Sequence, residues 1–474
     1  MTSTSPLVSV VIPVYNQTAF LAHAIRSVLD QTYSHFEIIV VDDASPDDPW
    51  AVVSTFTDPR IRFIRHDHNR HLAASRNTGI RASRGEIIAF LDADDYFHPE
   101  KLARHVEYLE AHPQIGVTYN SRFELHYNSD SDIRTIYPSP PSVDLGDLVL
   151  GFPFSPSDMV VRKEWMLRVD LFDEAYRHFS EDLDINCRLA LAGCRFARVN
   201  GVLNYRRYHS GRYLDVANRL GAALYTLERV FADPRCPERV RALRDIAFAN
   251  NYLVWAYIAF KQGEIDLAQA YIRMAVARDP TLIRQEANGS CRLLDFLVHY
   301  SAFDRCQSHA DILRRIVWQF PVELLDLTAQ YKWAVARGHL LKAIWMLTWG
   351  FDEEGEEHLV QAQEMQVQAD KGLLRKIVDE ILHYQEAFGP RAAERVLAHL
   401  CSHLRPVLGL KAIRWLQGLY LINNAFAKYQ EQNYRSVPIY VLRAIVSQPE
   451  LLGNRGVLAI LMRSVTALSF SGYS

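Results

Sequence analysis

Gly85-Glu86-Ile87-Ile88-Ala89-Phe90-Leu91-Asp92-Ala93-Asp94-Asp95 is a short apolar run that ends in three carboxylates. Ile87 to Leu91 has the length and composition of a buried parallel strand. Asp92, Asp94 and Asp95 then fall where that strand leaves the sheet, and in open α/β sheets this edge binds ligands. Asp-x-Asp there turns two carboxylates toward one point. Three close acids repel one another unless a cation or donor groups compensate. A hard divalent ion bridging to a substrate diphosphate supplies that compensation. The plainer alternative is a solvated acidic turn ahead of a helix that begins near Pro99.

The flanking sequence alternates strand and helix. Leu7–Val14, Phe36–Val41 and Ile61–Ile64 read as strands, and 20–29, 73–82 and 101–111 have helical spacing. Continuous apolar strands between helices predict a parallel, doubly wound α/β sheet. Residues 122–157 carry Pro138, Pro140, Pro141, Pro153 and Pro156 and read as a long loop, a candidate acceptor wall or lid. Strand character returns at Met159–Arg162, at Phe196–Val199 and at Leu203–Tyr208. Beyond about residue 215 helical spacing dominates, so the expected domains are 1–215 and 216–474.

Composition bounds the class. The 474 residues suffice for two or three domains, and 49% hydrophobic with 23% charged content is ordinary for a globular chain. A formal charge of −3 implies no general attraction to nucleic acid or anionic lipid. The six cysteines form no Cys-x-x-Cys pair and read as reduced thiols. No secretory leader is recognisable at Met1–Pro6, and no apolar run reaches the roughly 18 residues that span a bilayer. The expected location is cytoplasmic, compatible with peripheral docking at the inner membrane face.

Other motifs carry chemistry on the same scaffold. Pro13-Val14-Tyr15-Asn16 ends the first strand and Asp42-Asp43-Ala44-Ser45 the second. A carboxylate there can accept the imide N–H of uracil or a ribose hydroxyl, and Tyr15 can flank a base. Arg76, in Arg76-Asn77-Thr78-Gly79, offers a fork for a phosphate, or for one of the nearby aspartates. Glu181 and Asp182 open a later helix; they suit its dipole, and either can serve as a general base. Arg207 and His209 follow a strand as candidates for phosphate or metal contact.

In order and spacing, these pieces over residues 7–212 resemble the family 2 glycosyltransferases of GT-A fold. Val8–Asn16 is similar to the family's first strand, Asp42-Asp43-Ala44-Ser45 to its nucleotide-binding turn, Asp92-Ala93-Asp94 to its Asp-x-Asp motif, and Glu181-Asp182 to its catalytic acidic pair. Ala44 and His71 depart from the family's usual glycines. The resemblance implies a nucleotide-sugar donor, usually linked through UDP, a Mg²⁺ or Mn²⁺ ion, and inversion at the anomeric carbon. In that reading Asp42 or Asp43 holds the base or ribose, and Asp92 the ribose side. Asp94 ligates the metal, with His209 completing its site. Arg76 and Arg207 stand near the phosphates, and Asp182, paired with Glu181, is the base toward a carbohydrate, lipid-linked or protein acceptor.

In the second half, Trp255, Gly263, Ala268, Ile272, Ala275 and Pro280 fall at tetratricopeptide-type spacings. A fainter copy places Gln432 at the turn glycine, Ala444 and Pro449 at later positions, and Pro438 as an interruption of its second helix. A third pair lies near 343–365. Such an array would bind a protein partner or order the acceptor, and the plainer alternative is a generic helical bundle. Two other classes compete. A non-catalytic nucleotide-sugar-binding scaffold needs no base such as Asp182. A nucleotidyltransferase wants a glycine-rich basic loop after the first strand, which Pro13–Gln17 is not.

Overall fold

The computed structural model describes residues 5–126, 133–151, 153–177, 180–208, 216–285, 291–304, 308–367 and 369–471. The chain divides into two units, Met1–Arg284 and Gln285–Ser474.

In the first unit β1 (Val8–Val14), β2 (Phe36–Asp42), β3 (Ile61–Arg65) and β4 (Ile87–Phe90) run parallel, in the order β3-β2-β1-β4. Every residue of β1, β2 and β4 is buried, as continuous apolar runs covered on both faces require. Alternation then builds two cores. Val11, Ile88 and Phe90 enter one, and Val10, Ile12, Ala89 and Leu91 the other. The chain returns from β3 to β4 across β1, so the β1/β4 carboxyl ends form the switch point where such sheets bind ligands.

The sheet continues as a mixed one. β5 (Tyr96–Phe97), β6 (Val117–His126), β7 (Ile133–Tyr137), β8 (Met159–Arg162) and β9 (Phe196–Tyr208) extend the order to β4-β8-β6-β9-β5, with β7 on β6. β8 is antiparallel to both neighbours. Helices α1 (Thr18–Leu29), α2 (Pro49–Val53), α3 (His71–Ala82), α4 (Lys101–Ala111), α5 (Leu145–Leu150), α6 (Lys163–Arg168) and α7 (Glu181–Leu191) connect the strands. At Gly79 an added Cβ would come within 2.2 Å of a Val11 methyl, so α3 reaches β1 this closely only with glycine there.

Two expectations change. Residues 122–157 are not one long loop, since they hold the end of β6, β7, α5 and a 3₁₀ turn at Pro156–Asp158. Phe123 pairs with Ile136 across that hairpin and both are buried, while the prolines fall outside the strands. The two short strands after residue 195 are one, β9, with an irregular register against β6 near Gly201, whose φ is +119°.

The strand-bearing part ends near residue 208, but the compact unit does not. α8 (Val216–Ala232), α9 (Glu238–Arg241), α10 (Arg244–Gln262) and α11 (Ile265–Arg278) belong to the first unit, because Leu227, Val230, Phe231, Ala247 and Phe248 complete its first core. The compact unit that holds the sheet therefore extends to Arg284.

The second unit is helical: α12 (Arg292–Ala302), α13 (His309–Trp318), α14 (Tyr331–Thr348), α15 (Asp352–Glu364), α16 (Lys371–Phe388), α17 (Pro390–Gln430, broken at Gly409), α18 (Val437–Ser447) and α19 (Arg455–Ser471). Local geometry repeats across the helical half. Gly263, Gly350 and Gln432 each turn one helix into the next at φ of +82°, +81° and +60°. Asp279 and Gln448 share nearly the same backbone angles ahead of 3₁₀ turns that begin at Pro280 and Pro449. Pro438 does not interrupt a helix; it stands in the first turn of α18, where a proline costs no hydrogen bond. Among the described residues no helix is long and apolar enough to cross a membrane.

Candidate active site

The β1 and β2 ends are tied side by side. The Asp43 amide donates to the Val14 carbonyl at 3.0 Å, and the Asn16 amide to Ser45 Oγ at 3.3 Å. Asp42 accepts from the Ser45 amide at 2.8 Å and from Arg65 Nε at 2.5 Å. Asp43 Oδ1 accepts from the Arg70 amide at 2.8 Å and lies 2.7 Å from His66 Nδ1, whose Nε2 meets Thr78 Oγ1. Both aspartates are buried, whereas Tyr15 is 48% exposed, and Pro13 is the penultimate residue of β1. Asn16 and Ala44 hold φ of 53° and 55°, and His71, at the start of α3, 69°. The two positions where glycine is replaced are thus both left-handed, a conformation that disfavours a Cβ.

The β4 end, α3 and α7 meet at one guanidinium. Arg76 is 1% exposed; its Nη2 donates to Asp92 at 2.8 Å and its Nη1 to Glu181 at 2.6 Å. The Asp92 amide donates to Ser157 Oγ in the 3₁₀ turn. Burial opposes the charge on Arg76, but Asp92 and Glu181 outweigh it and raise its pKa. At Glu181 the balance favours the neutral form. Burial first, and then Asp182 beside it, lift its carboxyl to about 7 against the pull of Arg76. Asp92 and Glu181 share one guanidinium. Asp182 is partly exposed and its Oδ1 accepts from the Leu183 amide. Ser180, with φ of 70°, turns the chain into α7.

Beyond Asp92 the chain is pinned from β9. Arg207 Nη1 donates to the Asp94 carbonyl at 2.7 Å, and its amide to Asp95 Oδ1 at 3.2 Å. Its guanidinium contacts His23 and lies over the Tyr96 ring at 4.8 Å. Asp94 is itself buried. Arg76 and Arg207 are both buried and both brace the acidic turn. His209 lies outside the described residues.

Sequence reasoning missed several partners. Arg65 and His66 sit at the end of β3, where only the parallel register brings them to Asp42 and Asp43. Ser157 lay in the stretch read as loop. Lys101, fully buried, donates to Asn120 Oδ1 at 2.5 Å and to the Asp158 carbonyl at 3.2 Å, and burial draws its pKa down to about 7. A lysine in the first turn of a helix gives no such signal.

The Asp94 side chain is a carboxylate, a ligand type that suits a hard cation such as Mg²⁺ or Mn²⁺.

Residues 9–167 match the family described as Glycosyl transferase family 2. The UDP-Glc:alpha-D-GlcNAc-diphosphoundecaprenol beta-1,3-glucosyltransferase WfaP of Escherichia coli is 27% identical over 207 residues, 43% of this chain and 78% of that one. An uncharacterized glycosyltransferase of Haemophilus influenzae is 30% identical over 44% of this chain and 70% of its own length. Another, of Nostoc sp., is 31% identical over 47% and 69%. The strand order, the acidic turn at its switch point and these relatives agree: the chain belongs to glycosyl transferase family 2, with a GT-A domain followed by a helical half.

Proposed function

We propose that this transferase moves a sugar from a UDP-linked donor to an acceptor hydroxyl with inversion at the anomeric carbon. The observation that carries the reading is the Arg76 bridge, which joins the Asp-x-Asp turn to the Glu181-Asp182 pair through one buried guanidinium. Asp42 or Asp43 takes the base or ribose, Asp92 the ribose side, and Asp94 would hold Mg²⁺ or Mn²⁺. When bound, the ion offsets the charge of the leaving diphosphate. Asp182 receives the acceptor hydroxyl's proton, a bond forms from that oxygen to C1, and the C1–O bond to UDP breaks on the opposite face. Glu181 holds Arg76, and through it the Asp92 carboxylate, in place. The name of the Escherichia coli relative supports a lipid-linked diphosphate acceptor. A protein that uses such an acceptor works in the cytoplasm at the inner membrane face, in polysaccharide or glycoconjugate synthesis. The recurring helix–turn–helix–3₁₀ pattern supports a tetratricopeptide-like role for the helical half in binding a partner or ordering the acceptor.

The test is a panel of nucleotide sugars incubated with the full chain, with and without Mn²⁺, read by nucleotide release and product stereochemistry. One UDP-sugar should be consumed in a metal-dependent reaction, and Asp182→Asn should bind that donor but transfer on the order of 10²–10⁴ times more slowly. Donor binding with no turnover on any acceptor class would favour the scaffold reading.

A further inference from the structure

We propose that the helical unit carries a metal site of its own, in which His309, His339 and His358 bind one late first-row divalent cation, Zn²⁺ foremost. The three come from α13, α14 and α15, far apart in sequence, and one ring nitrogen of each lies within 4.8 Å of the others. His339 Nδ1 and His358 Nδ1 are 2.8 Å apart, and the His309 and His339 rings meet edge to face at 4.1 Å. Ligand nitrogens around a tetrahedral ion at 2.0–2.1 Å stand about 3.3 Å apart, so small side-chain rotations bring the group to coordinating distance.

Four further features suit a ligand set. His309 Nε2 lies 3.3 Å from the Val335 carbonyl, the contact by which a ligating imidazole fixes its proton on the far nitrogen. That leaves His309 Nδ1 with its lone pair, buried and without a hydrogen-bond partner. Burial also lowers all three pKa values, to about 3 for His309 and about 4 for His339 and His358, so the imidazoles are neutral. Lys342 adds to that lowering. Backbone space is set aside as well, since a Cβ at Gly338 would come within 2.5 Å of the His309 ring. Finally, a pocket of about 350 Å³ lined by His339, Glu357, His358, Val360 and Gln361 opens onto the cluster. It gives an entry path, room for a water as fourth ligand, and a carboxylate to offset Lys342. Three nitrogen donors select Zn²⁺, Ni²⁺ or Cu²⁺ over the hard ions that suit Asp94. Such an ion would pin α13, α14 and α15 to one another.

The test uses the full chain without a histidine tag, stripped with EDTA and held in excess Mg²⁺ so that the carboxylate site is occupied. Zn²⁺ titrated by calorimetry should bind one equivalent and raise the melting temperature. Co²⁺ should give visible bands of tetrahedral intensity. His339→Gln and His358→Gln should each weaken Zn²⁺ by at least about 100-fold, with helical circular dichroism confirming that they fold. Asp94→Ala should not affect it, nor should His399→Ala, which removes one of an exposed pair bonded to Asp352 and Glu356. Undiminished Zn²⁺ binding in both histidine variants would overturn the assignment, as would a wild-type chain that takes up no Zn²⁺ or gives only a weak octahedral Co²⁺ spectrum.

Discussion

Arg76 Nη1 and Glu181 Oε1 lie 2.6 Å apart, across 105 residues of chain and out of contact with solvent. The pair couples the helix ahead of β4 to the helix that presents Asp182. Breaking a buried pair by removing one partner leaves the other charge uncompensated, at a cost of ~3–5 kcal/mol. Arg76→Met should destabilise the chain by that order in urea unfolding. Arg76→Met with Glu181→Gln should recover part of the loss, and purely additive effects would show that the bridge is not coupled.

Glu181 sets a pH dependence. The folded chain holds its proton more tightly than the unfolded chain, so the stability linked to this group is fully present below about pH 4.5 and is lost as pH rises through about 7. Melting temperatures measured from pH 4.5 to 8 should fall more for the wild type than for Glu181→Gln. Equal slopes would remove Glu181 as the titrating group.

Asp94→Ala should weaken UDP binding in the presence of Mn²⁺ and leave the metal-free affinity nearly unchanged, because a ligand to the ion acts only when the ion is bound. Calorimetry with and without Mn²⁺ separates the two. Equal loss in both conditions would make Asp94 a structural residue.

Ala44 adopts φ of 55°, where a Cβ costs roughly 1–2 kcal/mol. Replacing alanine by glycine elsewhere typically loses about 0.5–1 kcal/mol through the unfolded chain. Ala44→Gly should therefore leave stability unchanged or slightly raised. A clear drop in the denaturation midpoint would mean that the methyl group makes a packing contact worth more than the strain.

A chain ending at 284 should fold cooperatively and one ending at 215 should not. The shorter chain loses Leu227, Val230, Phe231 and Phe248 from its core, and full burial of such large apolar side chains contributes roughly 1.5–3 kcal/mol each. A sharp thermal transition for residues 1–215 would contradict this.

The sequence by itself determined much of the first unit. A residue's place in a strand depends on its immediate neighbours, so Ile87–Phe90, Met159–Arg162 and Lys101–Ala111 could be read from apolar runs and periodicity. The acids at strand ends were visible for the same reason. Gln432 was placed at a turn glycine by spacing alone, and it has the left-handed backbone that position needs.

Tertiary structure decided what depends on partners distant in the chain. Arg76 offered a fork suited to phosphate or carboxylate, and only the fold of α3 against β4 and α7 gave it to Asp92 and Glu181. Arg65 and His66 gained their aspartates from the β2–β3 register. Helices α8 to α10 look like the rest of the helical half along the sequence, yet they join the first unit because its core takes their side chains. His309, His339 and His358 follow no recognisable spacing, and packing alone brings them together. Hydrophobic pattern fixes which face of an element is buried, but which buried faces and which charges meet is decided by the packing of the whole chain.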